Sequence, residues 1–302
     1  MSIQTTQADP LFTQPRAERP AYATGMLLDA QDFSDEQTYH RGRLARALAF
    51  LAGGGTLAGL EVRYVAPSAT QVEEILVDPG LAVDRLGRLI EIPRPACLRV
   101  PNWYEATRSI DGGDTLQRSA YDNLARFVSR RMIDNATPLP ARAVVADVFI
   151  RFAACAVGLT PSFAAGPFDA LNAVSTSRLR DAYELQLIPR TGLDDDYSGL
   201  PLPPGDPVIG NTGASAATRR NAVQDTVLHG YGGSGHAGGG GGLAPLPEHP
   251  ANLDRSAVFI ARVLIPVAAA NPPVRTAEPP LADNWARRFL PPVALLGQWA
   301  GL

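Results

Sequence analysis

Lysine is missing from this sequence altogether: every one of its 27 basic residues is an arginine. Set against 30 acidic side chains, they leave a formal charge of −3. No broad basic field exists to neutralise nucleic-acid phosphates or to dock on an anionic membrane, so nucleic acid is not an expected partner. An all-arginine set fits GC-rich coding, and it also fits planar, bidentate pairing at packed contacts. Cysteine is almost as scarce. Cys97 and Cys155 stand far apart without Cys-x-x-Cys or Cys/His spacing, in apolar, strand-like surroundings. They are expected to be free, buried thiols rather than a disulfide or a metal pair.

Long apolar runs are also lacking. None reaches the roughly 18 residues of a membrane span, and MSIQTTQADPLFTQPRAERP has no apolar core of the signal-peptide kind, so the expected site of synthesis and folding is the cytoplasm. With 28 glycines and 27 prolines the chain needs many turns, which excludes a long-helix architecture.

What is present reads as α+β, mainly β: an N-terminal helix followed by antiparallel sandwich- or barrel-like modules with long Gly/Pro-rich loops. Residues 1–20 are polar and aperiodic, an extended arm. Residues 21–101 combine a helix with a small β module. Ser34 and Gln37 form a capping-box pair near the helix start; His40, Leu44, Ala47, Leu48 and Leu51 share an apolar face, and Gly53–Gly55 stop the helix. From residue 57 to 101 the period changes to two. LAVDRLGRLIEIP predicts a hairpin turning at Arg85, Leu86 and Gly87, with Gly87 at positive φ.

Residues 102–302 form the rest. Leu116, Tyr121, Leu124, Phe127 and Val128 give a partly amphipathic helical connector ending before Pro138. AVVADVFIRFAACAVG, SRLRDAYELQLI and SAVFIARVLIPV read as strands of a second sheet. Between them lie long loops at 158–176 and 189–256, and the last residues, WARRFLPPVALLGQWAGL, are apolar enough to pack back on the core.

The segments GMLLDAQDFSDEQTYHRGRLARALAFLAGGGTLAGLEV, ILVDPGLAVDRLGRLIEIP, VFIRFAACAV, SRLRDAYELQLI and DNWARRFLPPVALL, in this order, resemble a family of bacterial proteins. Its members are met in gene clusters for phage-tail-like contractile injection systems and related tail baseplates. The resemblance implies a structural or adaptor role at or near a baseplate, with sheath, tube or baseplate proteins as partners, in a particle assembled in the cytoplasm that acts outside the cell.

The residues offer little chemistry of their own. His40 reads as a packed histidine of the helix face, while His229, His236 and His249 lie at irregular spacing around a glycine tract and make no preorganised metal site. GGSGHAGGGGG neither follows a strand nor opens a helix and reads as a linker, and Asp194–Asp196 reads as a solvated acidic turn. Asp78 with Asp84 and Glu73 with Glu74 are carboxylate pairs with no sign of a cleft. No catalytic residue, metal or cofactor is expected. The candidate residues are therefore assembly contacts: Leu11 and Phe12 in the arm, Tyr22, Arg41 and Arg43 around the helix, and Trp285 and Trp299 near the end. The second reading is a carbohydrate- or surface-binding module using Trp103, Tyr104, Tyr197 and Tyr231. The third is a hydrolase with a noncontiguous site.

Overall fold

Helix α1 spans Ala30–Leu51 and begins one turn earlier than Ser34 and Gln37 imply. Asp29 is its N-cap, accepting from the backbone N–H of Gln31 at 2.8 Å and Asp32 at 3.1 Å, while Asp32 accepts from Asp29 N at 3.0 Å. This reciprocal box satisfies the free donors first, so Ser34 is already inside the helix. The computed structural model describes residues 9–12, 18–161, 174–201, 211, 213–230 and 243–300.

The buried face of α1 is Gly42, Ala45 and Ala49. The expected apolar face is not the packed one: His40 and Ala47 are exposed, Leu48 is half-buried, and Leu44 and Leu51 are 64% and 87% exposed. The reason is close approach. Gly87 has φ +82°, and a Cβ there would lie 1.7 Å from the carbonyl oxygen of Ala45. Only small side chains fit between helix and turn at that distance, which leaves the leucines outside.

Six short strands follow: β1 (Gly55–Gly59), β2 (Val62–Val65), β3 (Glu74–Val77), β4 (Gly80–Val83), β5 (Leu89–Ile92) and β6 (Ala96–Arg99). They make two antiparallel sheets, β1-β4-β5 and β2-β3-β6. The β4–β5 hairpin turns at Arg85–Gly87 as its sequence predicts, because Asp84 accepts from the N–H of Leu86 and of Arg88, both at 2.9 Å.

The connector is broken up. It contains α2 (Val100–Asp111), α3 (Asp114–Arg118), β7 (Ala120–Asp122), a 3-10 turn at Leu124–Phe127 and α4 (Arg130–Asp134). Left-handed residues at Gly112, Gly113 and Asn123 interrupt the helical run, and Tyr121 stands in a strand.

The second sheet is built on β8 (Arg142–Pro161) and β9 (Val174–Pro189). After α5 (Ala216–His229) come β10 (Val258–Ala268), β11 (Val274–Arg275), β12 (Leu281–Asp283) and α6 (Val293–Ala300). β8 pairs with β10 over Ala143–Ile150 on one edge and with β7 and then β9 on the other; β11 and β12 pair with β10. The inner faces of all three sheets meet in one core, where Leu60, Ile75 and Ile90 pack with Val148, Ile150 and Ile260. The fold is mixed α+β and mainly β.

Several loop expectations change. Strand pairing continues to Pro161 and Val174, so only residues 162–173 of the loop expected at 158–176 fall outside the described residues. The loop expected at 189–256 contains α5, capped by Ser215, whose hydroxyl accepts from Thr218 N. The glycine tract and His236 lie outside the described residues, as does Tyr231. Both thiols are free, but Cys97 is exposed and Cys155 half-buried. On β6 Ala96 and Leu98 pack against the core and Cys97 alternates to the opposite face, while Cys155 lies beyond the main sheet. The C-terminal stretch packs back only in part. Arg287 is buried and donates to Leu60 O at 2.7 Å, and Thr56 exchanges backbone hydrogen bonds with Arg288 and Leu290 at 2.8 Å each. α6 then leaves Val293, Leu295 and Leu296 exposed.

Candidate functional site

Beyond Ile150, β8 loses β10 and keeps β9 as a partner. Eleven residues of β8, Arg151–Pro161, and eleven of β9, Val174–Glu184, continue as a two-stranded ribbon roughly 35 Å long. Its base is anchored. Phe152 is buried beneath the guanidinium of Arg88, 4.8 Å from the ring centroid, and Arg151 pairs with Glu184 and with Asp254 at 3.6 Å. From Gly158 outward on β8, and from Thr176 through Asp181 on β9, the described side chains are exposed, including Leu159 and Leu179.

Directly opposed residues of an antiparallel pair share a face. Cys155 opposes Arg180, Val157 opposes Arg178 and Leu159 opposes Thr176, so one face of the ribbon is basic and apolar. Leu179 and Asp181 oppose Ala156 and Ala154 on the other face. The sequence carries a signal for part of this ribbon: S-R-L-R-D opens the segment SRLRDAYELQLI, which reads as a strand, whereas the pairing also takes in Gly158–Pro161 and Val174–Thr176, expected as loop.

A second exposed surface surrounds the start of α1. Met26, Leu27, Leu28 and Phe33 are exposed there, beside Asp29, Asp32, Asp35 and Glu36. Tyr22 is exposed and its hydroxyl donates to Glu36 Oε2; this hydrogen bond, ahead of any burial, shifts the phenol upward.

The other candidates divide. Leu11 is only 4% exposed, within a 3-10 turn Pro10–Phe12 packed on α1. Asp9 pairs with Arg88 at 3.0 Å and Arg41 at 3.4 Å. This end of the arm is thus folded onto the chain rather than extended, because a cationic pair and an apolar recess both receive it. Arg43 lies 5.1 Å over the ring of Tyr39, and half-exposed Trp285 is stacked by Arg131 at 3.6 Å. The side chains of Phe12 and Trp299 lie outside the described residues.

Among the described residues, the aromatics of the carbohydrate reading, Trp103, Tyr104 and Tyr197, turn their polar tips into the fold. Trp103 donates its indole N–H to Leu187 O at 2.7 Å, buried Tyr104 donates to Pro273 O at 3.0 Å, and Tyr197 donates to Pro247 O. Each is tied into the fold by its polar tip. The carboxylate pairs separate as well. Glu73 takes a bidentate contact from Arg275, Glu74 accepts from Gln71, Asp78 from Arg63, and buried Asp84 from Arg88 Nε at 2.7 Å.

His249 is buried: its Nε2 meets Ala257 O at 2.9 Å and its Nδ1 accepts from Leu246 N at 3.4 Å. Burial lowers its pKa below the usual histidine value. His40 is exposed, 4.0 Å from Glu36, and exposed His229 contacts Asp225 O from within α5. Among the described residues no group of three or more His, Cys, Asp or Glu side chains is placed to hold a metal ion. A half-open pocket of about 420 Å³ beside α2 is lined by Tyr104, Arg108, Pro272, Pro273 and Arg275. Its arginines are turned to Glu105 and Glu73.

No family model matches this chain, and no curated protein matches it. No helix among the described residues is long and apolar enough to cross a membrane.

Proposed function

We propose that this chain is a structural or adaptor subunit of a phage-tail-like contractile injection system, placed at or near the baseplate, with other particle subunits as partners. The observation that carries the reading is the ribbon of β8 and β9. A two-stranded arm fixed at its base by Phe152, Arg88 and Arg151, and exposed beyond it, gains little for the isolated fold. It is the shape by which one subunit reaches a neighbour, since strand edges and an apolar face both remain available for pairing. The sequence blocks resembling tail-associated proteins supply the particle class.

The test replaces Cys155–Arg180 by an Asn-Gly turn, which suits a hairpin. The shortened protein is co-expressed with the sheath, tube and baseplate genes expected beside its own. Particles are then purified and the subunit quantified by mass spectrometry. The expected result is a folded protein lost from the particle; normal incorporation without the ribbon overturns the reading.

A further inference from the structure

Two exposed surfaces of this chain are complementary in charge and alike in apolar character. On the ribbon, Arg178 and Arg180 share a face with Cys155, Val157 and Leu159. At the start of α1, Asp32, Asp35 and Glu36 stand beside Phe33, Leu27 and Leu28, and no basic residue lies between Arg19 and His40. Leu27 is 94% exposed, so the helix end is open to a partner.

Spacing agrees with charge. Residues two apart on a strand lie roughly 6.6 Å apart along it. Helical neighbours three and four apart, as Asp35 and Glu36 are from Asp32, have Cβ atoms about 5–6 Å apart. Two arginine side chains on the ribbon therefore reach two helical carboxylates without distortion, while Val157 and Leu159 cover Phe33 and Leu27.

We propose that the ribbon of one copy docks on the N-terminal end of α1 in a second copy. This partner assignment rests on the reading of the chain as an assembly subunit. Each contact pairs a ribbon with a helix end: exchanged reciprocally between two copies it closes a dimer, and passed on from copy to copy it builds a ring or a filament.

Sedimentation velocity on the full chain, over a concentration series at low and at physiological salt, tests it. The wild type is expected to exceed the 32.0 kDa of one copy and to dissociate as salt rises. The variants R178E/R180E and D35R/E36R should each weaken self-association by about 10- to 100-fold. Their equimolar mixture should restore it, because each reversed ribbon then faces a reversed helix. Circular dichroism and melting curves establish that both variants fold, and recovery in the mixture separates lost contact from lost structure.

A wild type that stays monomeric at every concentration and at low salt, reversals without effect, or a mixture that fails to reassociate would each overturn the proposal. Its failure is distinguishable from failure of the subunit reading. A monomeric wild type whose ribbon deletion still abolishes incorporation sinks self-docking alone.

Discussion

Arg262 and Asp147 face each other directly across β10 and β8 and meet fork to fork, Nε to Oδ1 at 2.7 Å and Nη2 to Oδ2 at 2.9 Å, with both side chains fully buried. The remaining guanidinium donors reach the carbonyls of Phe127, Ser198 and Gly199, and Arg190 approaches the same carboxylate at 3.4 Å. One carboxylate thus holds two arginines inside the second sheet, which fastens the 198–199 segment and the 3-10 turn to it. Asp147→Ala would leave both cations buried without their counter-charge, and its expected cost is about 3–5 kcal/mol. Arg130→Ala, which removes an exposed pair with Asp134, should cost less than about 1 kcal/mol. Urea titrations of the two variants measure the contrast.

The close seat of α1 makes a second comparison. Gly87→Ala has to hold a left-handed backbone, at roughly 1–3 kcal/mol, and must also push Ala45 aside. Leu44→Ala, on the exposed face, should stay within about 0.5 kcal/mol of wild type. Similar losses at both positions in a denaturant titration would show that the helix is not seated on the turn.

Leu11 is the apolar anchor of the folded arm. Leu11→Ala is expected to cost about 2–5 kcal/mol, as buried leucine truncations do. Amide exchange at Leu11, whose N–H is donated to Asp9 Oδ1 at 3.1 Å, should also speed up. Unchanged exchange together with unchanged stability would mean that the turn contributes nothing to the free chain.

His249 gives the stability a defined pH slope. Its folded pKa is lowered, first by burial, so the unfolded chain binds the proton more readily. Stability contributed by the neutral ring is then complete above the unfolded value of about 6.5 and is lost as pH falls below it. Geometry gives the same sign, since a proton on Nδ1 would confront the Leu246 N–H that now donates to it. Melting temperatures recorded between pH 8 and pH 5 should fall for the wild type, and the slope should flatten in His249→Gln. Identical slopes would contradict a neutral, buried role.

Local order was written in the chain itself. The turn at Arg85–Gly87, the stop after Leu51 and the long strands of the second sheet follow from backbone preference and from periods of two or 3.6, which each short segment carries alone. Burial was another matter. Periodicity places Leu44 and Ala45 on different faces of α1 without saying which face packs; the backbone contact at Gly87, so close that a Cβ there would lie 1.7 Å from the Ala45 carbonyl oxygen, selected the small residues. Likewise Arg262 and Asp147, 115 positions apart, become partners only through the register of β10 on β8. The ribbon shows both sides of the division. Alternation through Arg178 and Arg180 encoded a strand, but only the length of β10, ending its pairing at Ile150, decided that this strand would stand beyond the sheet. Side-chain pattern acts over a few residues, whereas contact between distant strands is settled by the packing of the whole core.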